Sequence, residues 1–320
     1  MKKYLFTLLA GLIGFISSGQ TQSIIGNDIA QGEKLLEAYF TPMAESFSAG
    51  LNNGWYNTAK PHSFGGFDIT FSANIVIIPS AAKTFKIGNA FGGVFTSNEN
   101  EGQTILGVGS TGSNGTIMEY NNSTTNSSTQ FTMPSSAIMI RAIPIQTIQA
   151  GIGLIKKTAV DVRYAPRLEY GEKTSIDIFG IGVKHDLLQW IPVAGDAIPM
   201  SLSLQAGYTS VNAELEIYEQ NISLNTKATT INLVASKRLL MVTGYAGIGY
   251  NSATTTFASN ANFKLQGVQF DEKVEMKFES NKNVRANIGL RLNITLVTIH
   301  ADYTFSEYPT ATLGLGVSFR

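Results

Sequence analysis

The sequence lacks cysteine and carries little charge. Of its 320 residues none is Cys, and 23 Lys and Arg balance 23 Asp and Glu, so the formal net charge is zero. The absence of Cys excludes disulfides, thiolate zinc sites and cysteine nucleophiles. Zero net charge argues against a nucleic-acid partner held by phosphate contacts, and we expect none. Only 9 Pro against 31 Gly favours extended, tightly turned structure over a helical bundle.

Long apolar runs are also missing after the first residues. Lys2 and Lys3 precede an apolar run over residues 4–16, followed by small residues, which is the pattern of a secretory signal peptide. A membrane-spanning helix needs about 20 apolar residues, and this run is shorter. We predict a signal peptide over residues 1–19. The mature chain is then either soluble outside the cytoplasm or crosses a membrane as strands.

Alternation of apolar and polar side chains is the main pattern of the mature chain. It is clearest in three successive runs, 283–294, 297–306 and 311–319. A soluble sandwich alternates too. However, a twelve-residue strand covers roughly 28 Å when tilted near 45°, and ordinary strands are about half as long. We therefore predict an all-β fold, a transmembrane antiparallel β-barrel over residues 64–320, rather than a secreted sandwich or lipocalin-like barrel.

The number of alternating runs predicts the size of this barrel. Runs begin near residues 66, 85, 145, 158, 175, 199, 211, 228, 240, 256, 269, 283, 296 and 311, which gives about fourteen strands. This count leaves residues 97–144 on the periplasmic side, where turns are normally short. Two more strands, near 104–109 and 131–142, would resolve that difficulty. Sixteen strands are therefore the alternative.

The segment before the barrel, residues 20–63, has helical periodicity instead. Apolar residues recur every three or four positions after Asn27 and Asp28, either of which can cap a helix. We expect a kink or a split at Pro42, which lacks a backbone donor. We predict that this helical segment plugs the periplasmic half of the lumen, and a helix lying on the periplasmic face is the alternative. The apolar positions are Leu36, Phe40, Met43, Phe47 and Leu51.

Two short blocks carry a resemblance to a known family. Residues 54–60 (GWYNTAK) lead to 66–68 (GFD), and residues 180–186 (GIGVKHD) precede 189–192 (QWIP). These blocks resemble an uncharacterised family of outer-membrane proteins from Bacteroidetes-type bacteria. The architecture, a plug in a barrel of about fourteen strands, is similar to that of long-chain fatty-acid transporters. The resemblance implies the outer membrane of a Gram-negative bacterium, and fold analogy does not fix the activity.

Charged residues within the strands should face the lumen. Asp161 and Arg163 share one strand face, as do Arg285 and Arg291. A charge facing lipid at mid-membrane would cost about 2–4 kcal/mol, so these side chains should point inward, where they pair with each other or contact a polar solute. His300 and Asp302 also share a face and form a candidate general-base pair. Because neither a serine motif nor zinc-ligand spacing accompanies them, we predict no enzymatic activity, metal or cofactor.

These observations lead to a functional hypothesis. We predict a barrel that gives passive passage to a small hydrophobic or amphipathic molecule, with outer-membrane lipid and this ligand as its partners. The alternative is a non-transporting barrel that binds an envelope protein as an accessory or scaffold in secretion or envelope assembly. The residues predicted to line the lumen or substrate path are Leu36, Phe40, Met43, Phe47, Trp55, Asp161, Arg163, Arg285, Arg291, His300 and Asp302.

Overall fold

A computed structural model divides the chain into two compact units. The barrel unit comprises Phe47–Ile77 and residues 144–319, and the insertion unit comprises 29–46 and Ile78–Ile143. No helix in the part of the chain described is long and apolar enough to cross a membrane. The predicted signal peptide lies outside the described residues, which are 29–108, 115–122, 126–134, 140–169, 174–191, 199–217, 220–265 and 268–319.

One helix precedes the strands. It spans 24 residues, and of the two outcomes expected at Pro42 the split does not occur, because the helix continues through that residue. In chain order the elements are α1 (Ile29–Asn52), β1 (Phe67–Ile77), β2 (Thr84–Lys86), β3 (Phe95–Thr96), β4 (Glu101–Gln103), β5 (Gly115–Asn122), β6 (Ser127–Pro134), β7 (Ala142–Leu154), β8 (Thr158–Glu169), β9 (Thr174–Asp186), β10 (Ser201–Ile217), β11 (Gln220–Leu239), β12 (Val242–Leu265), β13 (Val268–Ile294), β14 (Val297–Phe305) and β15 (Thr310–Phe319).

Ten of the strands that the structure describes form a closed barrel in the order β1-β15-β14-β13-β12-β11-β10-β9-β8-β7. Each hairpin is antiparallel, and β1 closes the barrel by pairing with β15, from Phe67 opposite Phe319 to Val76 opposite Thr310. An even number of strands places the start of β1 and the end of β15 at the same end. We call this the near end and the opposite one the far end.

The prediction of about fourteen strands, with sixteen as the alternative, is therefore wrong. Three pairs of predicted runs are single strands: those at 199 and 211 form β10, those at 240 and 256 form β12, and those at 269 and 283 form β13. The run near 85 is β2, which pairs with β4 outside the barrel. Within the 97–144 region, β5 and β6 form a separate sheet with β3, and β4 pairs with β2. Because three pairs of runs merge into single strands and one run lies outside the barrel, the fourteen predicted runs correspond to ten barrel strands.

The mergers have a physical reason, because the polarity of the strands inverts partway along them. Over 284–292 of β13 the apolar side chains face outward and the polar ones face the interior. Over 275–279 the pattern is reversed: Met276 and Phe278 face inward and are buried, whereas the charged residues between and beside them are exposed. In β10 the apolar positions move from even to odd residue numbers after Tyr208, which looks in sequence like the start of a new strand. In β13 they stay on even numbers, and the register shift opposite Asn251 and Ala253 turns them from the outer to the inner face.

The outward-facing apolar residues of the barrel form a belt, which we call the apolar band. On β13 it runs from Val284 to Ile294, both exposed. Ten residue steps cover about 34 Å along a strand, or about 25 Å along the axis of a barrel whose strands tilt by 35–45°. This height matches the apolar band of outer-membrane barrels. Other exposed members are Ile69, Phe71, Ile152, Val162, Ile181, Leu204, Ile231, Leu233, Ile248, Ile288, Leu290, Ile299, Leu313 and Leu315.

Aromatic side chains lie at both edges of the apolar band. Tyr164, Phe179, Tyr208 and Tyr250 are exposed towards the far end, and neighbouring pairs such as Tyr164 and Phe179 face each other in register. At the near end Phe67 and Phe319 are exposed, with ring centroids 5.9 Å apart. Rows of aromatic residues at two levels are the girdles that mark the membrane interfaces of transmembrane barrels.

Beyond the band, β10 to β13 continue as a far-end extension, defined here by residues 211–217, 220–228, 253–265 and 268–280. Val211 and Phe257 face its interior and are buried, whereas Glu214 and Lys227 point outward and are exposed. An irregularity in the β12–β13 pairing, between Asn251 and Ala253, lies where the polarity inverts. This wall has the polarity of a soluble protein.

The insertion unit has a core of its own. Phe91 packs edge-to-face against Phe85 and Phe95, with centroids 6.2 and 6.3 Å apart. Phe95 also contacts Tyr120 and Phe131, at 5.5 and 6.1 Å. Such aromatic pairs are worth about 0.5–1.5 kcal/mol beyond the area they bury.

Candidate functional site

The interior of the barrel unit is filled by a stretch of its own chain. This lumen segment, residues 47–63, comprises the end of α1 and the irregular chain that leads to β1. Its Trp55, Tyr56 and Ala59 are at most 5% exposed and form a hydrophobic cluster with Val234 and Tyr245 of the barrel wall. The segment thus takes the place of solvent inside the band.

Two buried arginines hold the end of α1. Nη1 of Arg163 donates to the Leu51 carbonyl at 2.7 Å and Nη2 to the Asn53 carbonyl at 3.1 Å. Nη1 of Arg285 donates to the Asn52 carbonyl at 2.7 Å. The last carbonyls of a helix have no partner within the helix and carry its negative dipole end, so cations are favourable there. Both arginines therefore bind backbone carbonyls of the lumen segment through their terminal nitrogens.

Trp55 fits between the arginine and a groove of glycines. The guanidinium of Arg163 lies 3.9 Å from the centroid of the Trp55 ring, which is cation–π geometry. On the barrel wall, a Cβ added at Gly207 or Gly182 would lie only 2.5 or 2.7 Å from the indole. Larger residues at these strand positions would exclude the ring. The wall is therefore shaped for this side chain.

Further along, the lumen segment is hydrogen-bonded to the wall. The Tyr56 hydroxyl donates to Oδ1 of Asn287 at 2.8 Å, and Nη1 of Arg291 donates to Oδ1 of Asn57 at 2.6 Å. The Ala59 amide donates to Oγ of Ser236 at 2.9 Å. These bonds satisfy polar groups that burial would otherwise leave unpaired.

A cluster of charged side chains lies near the start of β1. Nε2 of His62 is 2.7 Å from Oδ1 of Asp68, and the Thr70 hydroxyl donates to Oδ2 of Asp68 at 2.9 Å. A cavity of about 10 Å³ beside them is lined by residues that include Asp161 and Lys184. A single water needs roughly 10–15 Å³, so this cavity holds at most about one water molecule.

The predicted site residues fall into two groups. Leu36 and Phe40 are buried in the insertion unit, and Met43, in the same unit, is half-buried. The structure therefore does not gather all eleven residues at one site. Those in the barrel unit are the half-buried Phe47 and the buried Trp55, Asp161, Arg163, Arg285, Arg291, His300 and Asp302.

The candidate pair His300 and Asp302 does not form a dyad. Asp302 accepts a hydrogen bond from the Tyr245 hydroxyl at 2.8 Å, and Nδ1 of His300 lies 3.5 Å from Nδ2 of Asn57. The close histidine–carboxylate pair is His62 with Asp68, which the sequence analysis missed. His62 lies in an irregular stretch, where no periodicity indicates which way a side chain points.

Charged groups of the barrel interior contact the lumen segment. Within the described ranges, no group of three or more His, Asp or Glu side chains is arranged to hold a metal ion. The guanidinium groups of Arg163, Arg285 and Arg291 are bound to groups of the lumen segment itself. These hydrogen bonds fasten the lumen segment to the barrel wall.

Comparisons with known sequences identify a family without a known activity. Residues 1–319 match DUF6588, described as a family of unknown function. No curated protein matches the chain. The predicted resemblance to an uncharacterised family is thus confirmed, and the Bacteroidetes-type origin stays a prediction. The analogy with fatty-acid transporters assumed about fourteen strands, and the ten-stranded barrel removes that basis.

Solved structures similar to this one are outer-membrane barrels. The translocator domain of the autotransporter NalP from Neisseria meningitidis has 11% identity and a TM-score of 0.31, covering 89% of this chain and 96% of that one. The transport unit of the autotransporter AIDA-I from Escherichia coli has 10% identity and a TM-score of 0.35, covering 87% and 99%. The outer-membrane protease OmpT from Escherichia coli has 10% identity and a TM-score of 0.31, covering 82% and 100%.

Proposed function

This chain belongs to DUF6588, a family of unknown function. We propose that it is a closed outer-membrane β-barrel that acts as a membrane anchor for a partner-binding unit. The partner in this proposal is a protein of the bacterial envelope, bound by the residues outside the apolar band. The observation that carries the proposal is the filled lumen. A barrel whose interior groups are bonded to its own chain does not provide a passage.

Residence in the outer membrane is supported by the outer surface of the barrel. Closure leaves no free sheet edge within the apolar band, and only such closed structures satisfy all backbone groups of strands in hydrocarbon. The band, about 25 Å high, lies between aromatic girdles, as in known transmembrane barrels. An apolar outer surface of this size would aggregate in water.

The passage of a hydrophobic or amphipathic molecule is not supported by the geometry of the lumen. A drug-sized ligand needs a cavity of about 300–1,000 Å³, and the cavity beside the lumen segment measures about 10 Å³. The arginines predicted to pair with other charges or to contact a polar solute are Arg163, Arg285 and Arg291, and they bind residues 51–57. The geometry therefore favours the non-transporting alternative.

Electrical recording from planar bilayers tests the closed state. The full-length chain should show no steady conductance. The double variant Arg163→Met with Arg285→Met removes both side chains that hold the end of α1, and should show intermittent openings as the lumen segment loosens. Arg238→Met is the matched control, because this exposed arginine bonds only the Leu240 carbonyl of its own turn among the contacts described here, and it should stay closed. A steady conductance of the unmodified chain would disprove the proposal.

Binding of a partner needs a separate measurement. Chemical cross-linking in native membranes, followed by purification of the barrel, should recover a defined envelope protein. Liposomes that contain the barrel should take up labelled fatty acids no faster than empty vesicles. Uptake above that rate would restore the passage hypothesis, and a barrel recovered always alone would remove the role of an anchor for a partner.

A further inference from the structure

The lumen segment runs through the barrel in a definite direction. Its early part is level with the far end of β1, because Nδ2 of Asn74, close to the end of that strand, donates to the Gly50 carbonyl at 3.0 Å. Its later part is close to the near end, where the Ala59 amide donates to Ser236 at 2.9 Å. The amide of Gly65 then donates to the Gly153 carbonyl at 3.1 Å, beside the end of β7. The chain thus passes from the far end to the near end before β1 begins.

The arginines fix this direction chemically. A guanidinium only donates hydrogen bonds, so it can satisfy carbonyls at the C-terminal end of a helix but not the free amides at an N-terminal end. Arg163 and Arg285 both bond to carbonyls between Leu51 and Asn53. A segment threaded in the opposite direction would bring amides and the positive end of the helix dipole to two buried cations. The wall therefore selects one orientation of the segment.

The connections between strands indicate which end faces the periplasm. Transmembrane barrels have short periplasmic turns and longer extracellular loops. At the near end, three of the four connections in the described barrel are two or three residues long, at 155–157, 240–241 and 295–296. The far end bears the 78–141 connection and the far-end extension. The near end is therefore the periplasmic one.

From these observations we infer that the barrel displays its own N-terminal segment on the cell surface. The chain that precedes residue 47 leaves the lumen at the far end, so in this inference it has crossed the outer membrane through the barrel that follows it in sequence. The inference rests on the proposed outer-membrane function. It adds a second activity to that function, the delivery of a chain segment to the exterior.

The absence of cysteine makes the inference directly testable by single-cysteine labelling. Glu37→Cys, on an exposed position of α1, reports the segment before residue 47. Glu307→Cys reports the far-end turn between β14 and β15, and Lys156→Cys reports a near-end turn, and both positions are exposed. Intact cells that express each full-length variant are treated with a membrane-impermeant maleimide, before and after the outer membrane is permeabilised.

Glu37→Cys and Glu307→Cys should both react in intact cells, at least about tenfold faster than Lys156→Cys, which should react only after permeabilisation. If Glu37→Cys instead behaves like Lys156→Cys, the display inference is overturned and the membrane barrel stands. If the two turn positions do not differ, the outer-membrane proposal itself fails. Lys34→Cys, also exposed on α1, repeats the test should the first variant not insert. A gel-mobility shift on heating identifies the variants that have folded.

Discussion

The apolar band and the far-end extension are built from the same strands with opposite polarity. In β13 the band places Ile288 and Leu290 outside and Asn287 inside, whereas the extension places Lys277 outside and Phe278 inside. Both regions alternate with a period of two and pair with β12, and the register of that pairing shifts by one residue between them. What differs is the polarity of the outer face, which in the proposed function meets lipid in the band and water in the extension.

This difference teaches that the period of an alternating pattern and its phase carry separate information. The period of two specifies a strand in either region. The phase specifies which face of the strand is apolar. Where the phase changes within one strand, as between Tyr208 and Val211 of β10, the strand continues beyond the apolar band without ending.

The interior of the extension should be the most sensitive to truncation. Phe278→Ala removes a buried ring from the interior of the extension, and we expect a loss of about 3–5 kcal/mol in the free energy of unfolding. Lys227→Ala, on the exposed outer face of the extension, should change it by less than about 0.5 kcal/mol. Urea titration of the barrel folded into lipid vesicles measures both. Equal losses of unfolding free energy for the two variants would contradict the placement of Phe278 inside the extension and Lys227 outside it.

A charge introduced on the outer face should destabilise the apolar band but not the far-end extension. Leu290→Arg places a cation in the middle of the apolar band and should cost about 2–4 kcal/mol in vesicles. Ser223→Arg, on the exposed face of the extension, should cost less than about 0.5 kcal/mol. The same titration tests this pair. A tolerated arginine at residue 290 would show that the band does not meet hydrocarbon.

Inside the band, the lumen segment should respond to loss of a hydrogen bond. Asn287→Ala leaves the buried Tyr56 hydroxyl without its acceptor, which should cost about 1–3 kcal/mol. Combining it with Tyr56→Phe should cost less than the sum of the two single changes, because the unpaired hydroxyl is gone. A double-mutant cycle on unfolding free energies measures this coupling. Strict additivity of the two free-energy changes would contradict the hydrogen bond between Tyr56 and Asn287.

The smallest effect is expected at the exposed ion pair of the extension. Nζ of Lys277 lies 2.6 Å from Oε1 of Glu279, with both side chains more than half exposed. Because water and salt screen such pairs, Lys277→Ala should change the unfolding free energy by less than about 0.5 kcal/mol. Titrations at low and high salt check this. A large, salt-independent loss would indicate that this face is buried.

The sequence alone predicted the strands well where one environment persists along the whole strand. Residues 283–294, 297–306 and 311–319 were placed on strands, and the structure has β13, β14 and β15 there. The strand count was wrong because β10, β12 and β13 continue through positions at which the sequence pattern indicated the start of a new run. The contacts between the lumen segment and the barrel wall could not be predicted from the sequence either. Trp55 meets Gly182 and Gly207 only through long-range register, which spacing in the sequence does not reveal.

The central claim is that the apolar band lies in lipid while the extension stands in water. Single nitroxide labels on cysteines introduced at Ile288, Leu290, Glu275 and Lys277, in the barrel reconstituted into vesicles, test it directly. Labels at 288 and 290 should relax with molecular oxygen and be protected from a water-soluble nickel complex, and labels at 275 and 277 should show the reverse. Equal access of the nickel complex to all four positions would contradict the account.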